Sequence, residues 1–258
     1  MMKIIDLSVT IEHETPCDPP SMPTKIDYWG HDKGAEHMRQ FFPTATEKDL
    51  PSGLGWSIEY VQLTTHSGTH LDAPWHYHPT MNQGEPARTI DQIPLEWCFS
   101  DGVKLDFSTI PGNGEKITVD ILEAELTRIG YTLKPLDIVV IQTGAMKYWG
   151  TNAYLNAGCG MTREATLYLL KHGIKVVGTD AWSWDRPLSL IAEEFEETGD
   201  SSLIWEGHFA GIEREYYHME KMTNLDKLPP FGFKIACFPI KIKAASAGWC
   251  RAVAMFDL

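Results

Sequence analysis

Two short aliphatic runs do most to limit what this chain can fold into. "DIVVIQTG" (137–144) and "KVVGTD" (175–180) read as buried strands, and "MTREATLYLLKHG" (161–173) between them carries apolar residues at helical spacing. Thr162 is placed to cap the start of that helix and Gly173 to stop it. Upstream, "ITVDILEAELTRIG" (117–130) repeats the helical pattern, with Asp120 near its N-cap and Gly130 just past its end. "WSIEYVQLTTH" (56–66) is β-rich, and "IIDLSVTI" (4–11) reads as an opening strand. Two apolar runs, "FGFKIACFPIKI" and "RAVAMFDL", close the chain. Alternating strands and helices predict an α/β class. The polar stretch from His13 to Gly55 reads as loop with short structured pieces. With no repeat, low-complexity segment or long linker, the 258 residues are expected to form a single domain spanning 1–258.

Charge and cysteine usage narrow the partners. A formal net charge of −13 with no offsetting basic patch argues against nucleic acid and against an anionic membrane surface. A small anionic substrate stays open, because a metal ion can reverse the local field. The five cysteines (Cys17, Cys98, Cys159, Cys237 and Cys250) are odd in number and show no C-x-x-C spacing. A disulfide framework or thiolate zinc site is therefore not expected, and a reducing cytoplasm fits best. The start "MMKIIDLSVT" does not read as a signal peptide. The longest aliphatic runs, such as "IVVI" at 138–141, fall far short of the roughly 20 residues that span a bilayer.

The chemistry is concentrated in "HSGTHLDAPWH" (66–76). His66, His70, Asp72 and His76 share one parity, so an extended chain would turn all four side chains to one face. A helix would carry Asp72 and His76 round its other side, and Gly68 and Pro74 both oppose regular helix. Residues four apart on a flat strand, however, stand about 13 Å apart, too far to share one ion. The chain must bend at Ser67-Gly68-Thr69, where glycine allows it. His66, His70 and Asp72 would then form a nitrogen and oxygen triad suited to zinc or manganese, with a position left for water. A lone histidine would more often be a satisfied polar residue at a strand end; three with an aspartate on one parity favour a metal site.

The remaining candidates carry weaker signals. His78 lies between Pro79 and the motif and reads as loop or supporting residue, while His13, His31, His37 and His172 have no ligand spacing. "GTDAWSWD" (178–185) follows a buried strand, a usual position for functional loops. Trp75, Trp182 and Trp184 are candidates to wall a planar pocket, with aromatic packing under a loop as the equal alternative for the last two.

"HSGTHLDAPWH" resembles the H-x-G-T-H-x-D-x-P-x-H signature of the cyclase-like metal-dependent hydrolases, a group that includes kynurenine formamidases, isatin hydrolases and a zinc-dependent trans-dienelactone hydrolase. "IIDLSVTI", "DIVVIQTG" and "NLDKLPPFGFKIACFPIKI" extend the resemblance over most of the chain, and "GTDAWSWD" with "SAGWCRAVA" look most like the dienelactone branch. The resemblance implies a single α/β domain with a curved, barrel-like mixed β-core flanked by helices, the swivelling β/β/α arrangement, and assembly as a homodimer or homotetramer. It implies His66, His70 and Asp72 as metal ligands and His76 as the proton-transfer residue. It also implies a second ion on Asp72, His208 and Glu220, since "GHFAGIEREYYHME" supplies the histidine and the glutamate twelve residues later. A continuous helix would hold those two about 18 Å apart, so the chain must turn between them and Glu220 should begin or sit in a strand. His218 competes as a donor with the smaller claim. The carboxylate weakens an isatin-type reading.

The expected activity is attack of a metal-activated water on an amide, lactone or cyclic imide carbonyl in a small, planar substrate, with one or two ions and with His76 moving the proton. A cupin-type dioxygenase, suggested by "HYH" at 76–78, needs a glutamate a few residues later, where Asn82 and Gln83 stand. A non-catalytic metal module would be expected to use a closed site, often rich in cysteine.

Overall fold

The structure, a computed structural model, describes residues 3–110 and 114–256, so the last two positions of the run 251–258 lie outside the described residues. Nine strands form one mixed sheet in the order Lys3–Asp6, Val253–Phe256, Phe233–Ala236, Phe99–Asp106, Ile138–Gln142, Val176–Thr179, Tyr217–Glu220, His70–Asp72 and Ala247–Trp249. The four strands from Phe99–Asp106 to Tyr217–Glu220 run parallel, and the strands on either side of them are antiparallel. The sheet has the half-barrel form with flanking helices expected for the class.

Sequence dictates the two faces of this sheet. Val103, Leu105, Val139, Ile141 and Val177 point to one side and pack against Leu122 and Leu126 of the helix Val119–Ile129 and Ala165, Leu169 and Leu170 of the helix Arg163–Lys171. Ile138, Val140 and Val176 point to the other, against Tyr217, Met219, Phe233, Ile235 and Ala254. "IVVI" is thus buried on both faces, one under the crossover helices and the other against residues of the sheet's own outer strands. Thr162 caps its helix by accepting the Ala165 N–H (3.2 Å). At the preceding helix Thr118, not Asp120, holds the cap position; Asp120 sits in the first turn, and Gly130 ends the helix in the left-handed conformation at φ 67°.

The stretch 13–55 is more ordered than expected. It contains the strand Lys25–Trp29, paired with Ile58–Gln62 in a separate two-stranded sheet, and an eleven-residue helix His31–Phe41. That helix buries only Gly34 and Ala35, two small residues, and most of its side chains stay in contact with solvent. Gly34 is needed there for contact: a Cβ would stand 1.6 Å from the Trp56 carbonyl oxygen. Among the described residues, no helix is long and apolar enough to cross a membrane.

Candidate metal centre

The motif bends where glycine allows it. The strand ending at Gln62 does not run into the motif; Ser67 N–H closes a turn on Thr64 O (3.1 Å), Gly68 takes φ +64°, and a new strand runs His70–Asp72. Pro74 then opens a one-turn helix, Pro74–Tyr77, rather than opposing one, because the first helical position needs no N–H. His66 therefore lies in the turn, His70 and Asp72 on the strand and His76 on the short helix.

Register brings the distant residues to the same place. The strand Tyr217–Glu220 pairs antiparallel with His70–Asp72 and sets His218 opposite Asp72 and Glu220 opposite His70. Directly opposed residues project to one face within about 5 Å of each other. His208 arrives from the helix Glu206–Glu213, and the chain turns before Glu220, which ends its strand.

Two overlapping sets of donors result. In the outer set, Asp72 Oδ1 lies 2.9 Å from His66 Nδ1 and 3.2 Å from His70 Nε2. The inner set gathers on the other carboxylate oxygen: His218 Nε2 is 3.0 Å from Asp72 Oδ2 and 3.2 Å from Glu220 Oε1, and His208 Nε2 is 3.6 Å from Glu220 Oε1. His76 Nε2 is 3.8 Å from Asp72 Oδ2, and its ring lies 4.0 Å from that of His66. Asp72, His208, His218 and Glu220, and likewise His66, Asp72 and His76, each offer ligand atoms within 4.8 Å of one another, close enough that each group could hold a metal ion. His70 Nε2 and Asp72 Oδ1 are also buried with no hydrogen-bond partner, an arrangement a cation would satisfy.

Four further groups orient the imidazoles from behind. His70 Nδ1 donates to the Gly68 carbonyl (2.8 Å), which leaves the Nε2 lone pair facing Asp72. Ser246 Oγ holds His66 Nε2 (3.0 Å), the Tyr77 hydroxyl makes a long contact with His218 Nδ1 (3.4 Å), and the Asp185 carboxylate takes His208 Nδ1. Each oxygen of Asp185 already accepts a backbone N–H, from Gly207 (2.7 Å) and His208 (3.1 Å), so the ring nitrogen is the donor. Every ring thus turns its other nitrogen toward a carboxylate, the pattern of ligands held by supporting hydrogen bonds.

Two buried carboxylates side by side require positive charge. Burial works to lower the pKa of His218, but its bonds to Asp72 and Glu220 prevail and hold it up at about 9. Burial likewise opposes the ionised forms of Asp72 and Glu220, yet the surrounding histidines keep both below the usual carboxylate range. Burial opposes charge on His66 as well, and Asp72 outweighs it. His76 goes the other way: burial pushes it down to about 3 against the pull of Asp72.

The tryptophans divide. Trp184 is 1% exposed, donates Nε1–H to Thr166 Oγ1 (3.0 Å) and packs parallel to His218 at 5.9 Å, so it is core behind the site and no pocket wall. Its backbone N–H donates to Glu220 Oε1 (2.9 Å). Trp182 is half-buried and tied to Asp18 Oδ1 (3.0 Å), and Trp75 turns outward beside His76. The aromatic ring that meets the site is Trp205, which stacks on His208 at 4.1 Å and meets His76 edge-on at 5.1 Å. Its left-handed backbone (φ 55°) gave no warning in the sequence, and neither did Ser246 or Tyr77; Asp185 was signalled by its place in "GTDAWSWD". His78 bonds Thr80, and His13, His31, His37 and His172 each make local contacts elsewhere.

Residues 5–186 match the family described as "Putative cyclase". The chain is 23% identical over 207 residues to a kynurenine formamidase of Erythrobacter litoralis, covering 79% of each chain. It is 24% identical over 196 residues to the kynurenine formamidase of Geobacillus thermodenitrificans, covering 76% of this chain and 78% of that one. Isatin hydrolase A from Ralstonia solanacearum superposes with a TM-score of 0.77 at 23% identity, over 99% of this chain and 92% of that one. With the family matched over more than half its length, the chain belongs to the cyclase family.

Proposed function

We propose that the protein is a metal-dependent hydrolase that opens a carbonyl–nitrogen bond, or the related ester bond of a lactone, in a small planar substrate. The observation that carries this reading is the orphaned pair His70 Nε2 and Asp72 Oδ1, buried beside the partly open His66 and His76. The formamidase and isatin hydrolase names among its relatives share the same bond type, a carbonyl carbon joined to nitrogen.

In this reading His66, His70 and Asp72 would hold a zinc or manganese ion, and Asp72, His208, His218 and Glu220 would hold a second. A divalent ion there supplies Lewis acidity, bringing the pKa of a water from 15.7 toward about 7 and polarising a carbonyl oxygen. The chain's own residues do the rest. Burial keeps His76 neutral at pH 7, so its ring has a lone pair free to take a proton from the attacking water and return it to the departing nitrogen or oxygen. Its ring is held between His66 and Trp205, which limits it to one orientation. Trp205 supplies an aromatic wall for a planar substrate. A closed non-catalytic module would not leave His66 and His76 18% and 26% exposed at the edge of the donors.

The test is turnover of an N-formyl aryl amine, of isatin and of an aryl lactone by protein stripped of metal and then reloaded with zinc or manganese. Metal-dependent cleavage of at least one is expected; equal rates with and without metal contradict the reading.

A further inference from the structure

A buried cation stands behind the turn of His66 and has no part in the reading above. Lys221 directly follows the strand Tyr217–Glu220 and is 1% exposed. Its backbone is left-handed (φ 57°), a conformation uncommon for any residue but glycine. Two bonds pin it there: Lys221 N–H donates to the Ala181 carbonyl (3.0 Å), and Thr69 Oγ1 donates to the Lys221 carbonyl (2.7 Å). From that position Nζ donates to the His66 carbonyl (2.7 Å) and to Asp18 Oδ1. Asp18 comes from the loop before the strand Lys25–Trp29 and its side chain is 5% exposed. The same carboxylate oxygen accepts Trp182 Nε1–H (3.0 Å). One side chain thus joins the turn at His66, the loop of Asp18 and the loop of Trp182.

Packing alone does not call for this arrangement. A buried ion pair adds little to stability compared with apolar side chains of the same volume, and glycine suits the left-handed position better than lysine. What lysine supplies is reach, an N–H donor carried to the His66 carbonyl. His66 lies in a turn, and among the described residues no backbone N–H donates to that carbonyl. Its ring nevertheless has two fixed partners, Asp72 Oδ1 at 2.9 Å from Nδ1 and Ser246 Oγ at 3.0 Å from Nε2. A ring held to two partners needs a backbone that does not drift.

We propose that Lys221, braced by Asp18, is a positioning residue: it sets the backbone of His66 so that the ring is aimed at Asp72, and the ion pair serves this aim and not stability. The effect on turnover rests on the metal-dependent reading above; the effect on the turn does not.

The test uses the full-length protein. Asp18→Asn combined with Lys221→Met removes both charges at nearly constant volume, and the amide oxygen at position 18 can still accept Trp182 Nε1–H. This double variant should melt close to the wild-type temperature, as buried ion pairs replaced together usually do. Amide hydrogen exchange at His66 and Ser67, followed by NMR on metal-free protein, should be at least about tenfold faster, with the strand Ile138–Gln142 unchanged. With zinc restored, kcat should fall about 10–100-fold and KM should move less than about twofold. A pair that served only stability would shift the melting temperature and leave local exchange and kcat alone. Should the double variant not fold, Lys221→Gln decides: it keeps an N–H donor for Asp18 but is one bond too short for the carbonyl, so exchange at the two amides should still quicken and kcat still fall. Wild-type exchange at His66 and Ser67, or wild-type kcat, in whichever variant folds overturns the proposal. A wild type without metal-dependent turnover overturns the metal-dependent reading instead, and the exchange comparison still decides the role of Lys221.

Discussion

His70 Nε2 and Asp72 Oδ1 face each other at 3.2 Å, both buried and neither hydrogen-bonded to any other group. An unpaired buried polar atom costs about 1–3 kcal/mol, and more when charged. Two at one point, with His66 Nδ1 2.9 Å from the same oxygen, would be an expensive defect in a fold whose other site nitrogens are carefully partnered. A divalent cation would turn that defect into a coordination shell. The predictions below follow from this relationship.

In the proposed reading His76, 3.8 Å from Asp72 Oδ2 on its own one-turn helix, carries protons. His76→Ala should lower turnover by about 10²–10⁴-fold, the usual contribution of a positioned acid–base group, with zinc content unchanged. Elemental analysis beside initial rates checks this. Loss of metal with loss of rate would reassign the residue as a ligand.

Asp185 acts on His208 from behind, and it also accepts the first N–H groups of the helix that carries His208. Asp185→Ala should weaken zinc binding that involves His208 about 10–100-fold. Asp185→Asn, whose amide oxygen can still accept from Nδ1, should recover part of the loss. Competition titration against a chelator of known affinity measures both. ¹⁵N spectra of labelled histidine in the metal-free protein should show His208 protonated at Nδ1 in wild type and not in Asp185→Ala.

The pH dependence of stability has a definite sign. In metal-free protein His218 has a folded pKa of about 9, above its ordinary 6.5. Its contribution is therefore full below pH 6.5 and lost as pH rises through 9, a change on the order of a few kcal/mol. The melting temperature of chelator-treated protein should fall across that window. Zinc-loaded protein should change much less there, because the ion supplies the positive charge that the proton supplied. Parallel curves would show that His218 faces no ion.

Much of this was legible in the chain. "IVVI" could only be a strand covered on both faces, and the shared parity of His66, His70, Asp72 and His76 required a bend at Gly68, which adopts φ +64°. The turn between His208 and Glu220 followed from the family resemblance, which implies one shared ion, taken with the length of a helix. What stayed hidden depends on tertiary contact. The helix His31–Phe41 buries only two small residues, Gly34 and Ala35, and lies in a polar stretch of low mean hydropathy. Trp184 and Trp205 look alike as letters, yet one is sealed beneath His218 and the other meets His76, a difference set by helix and strand placement. His218 ranked below His208 because no spacing rule favoured it; strand register alone sets it opposite Asp72.

The most direct measurement is a crystal structure of zinc-loaded protein with data collected on both sides of the zinc absorption edge. An anomalous peak within about 2.0–2.2 Å of His66 Nδ1, His70 Nε2 and Asp72 Oδ1 is the predicted result. Density showing those three atoms metal-free at saturating zinc, with His70 Nε2 and Asp72 Oδ1 satisfied by water or by each other, would contradict it.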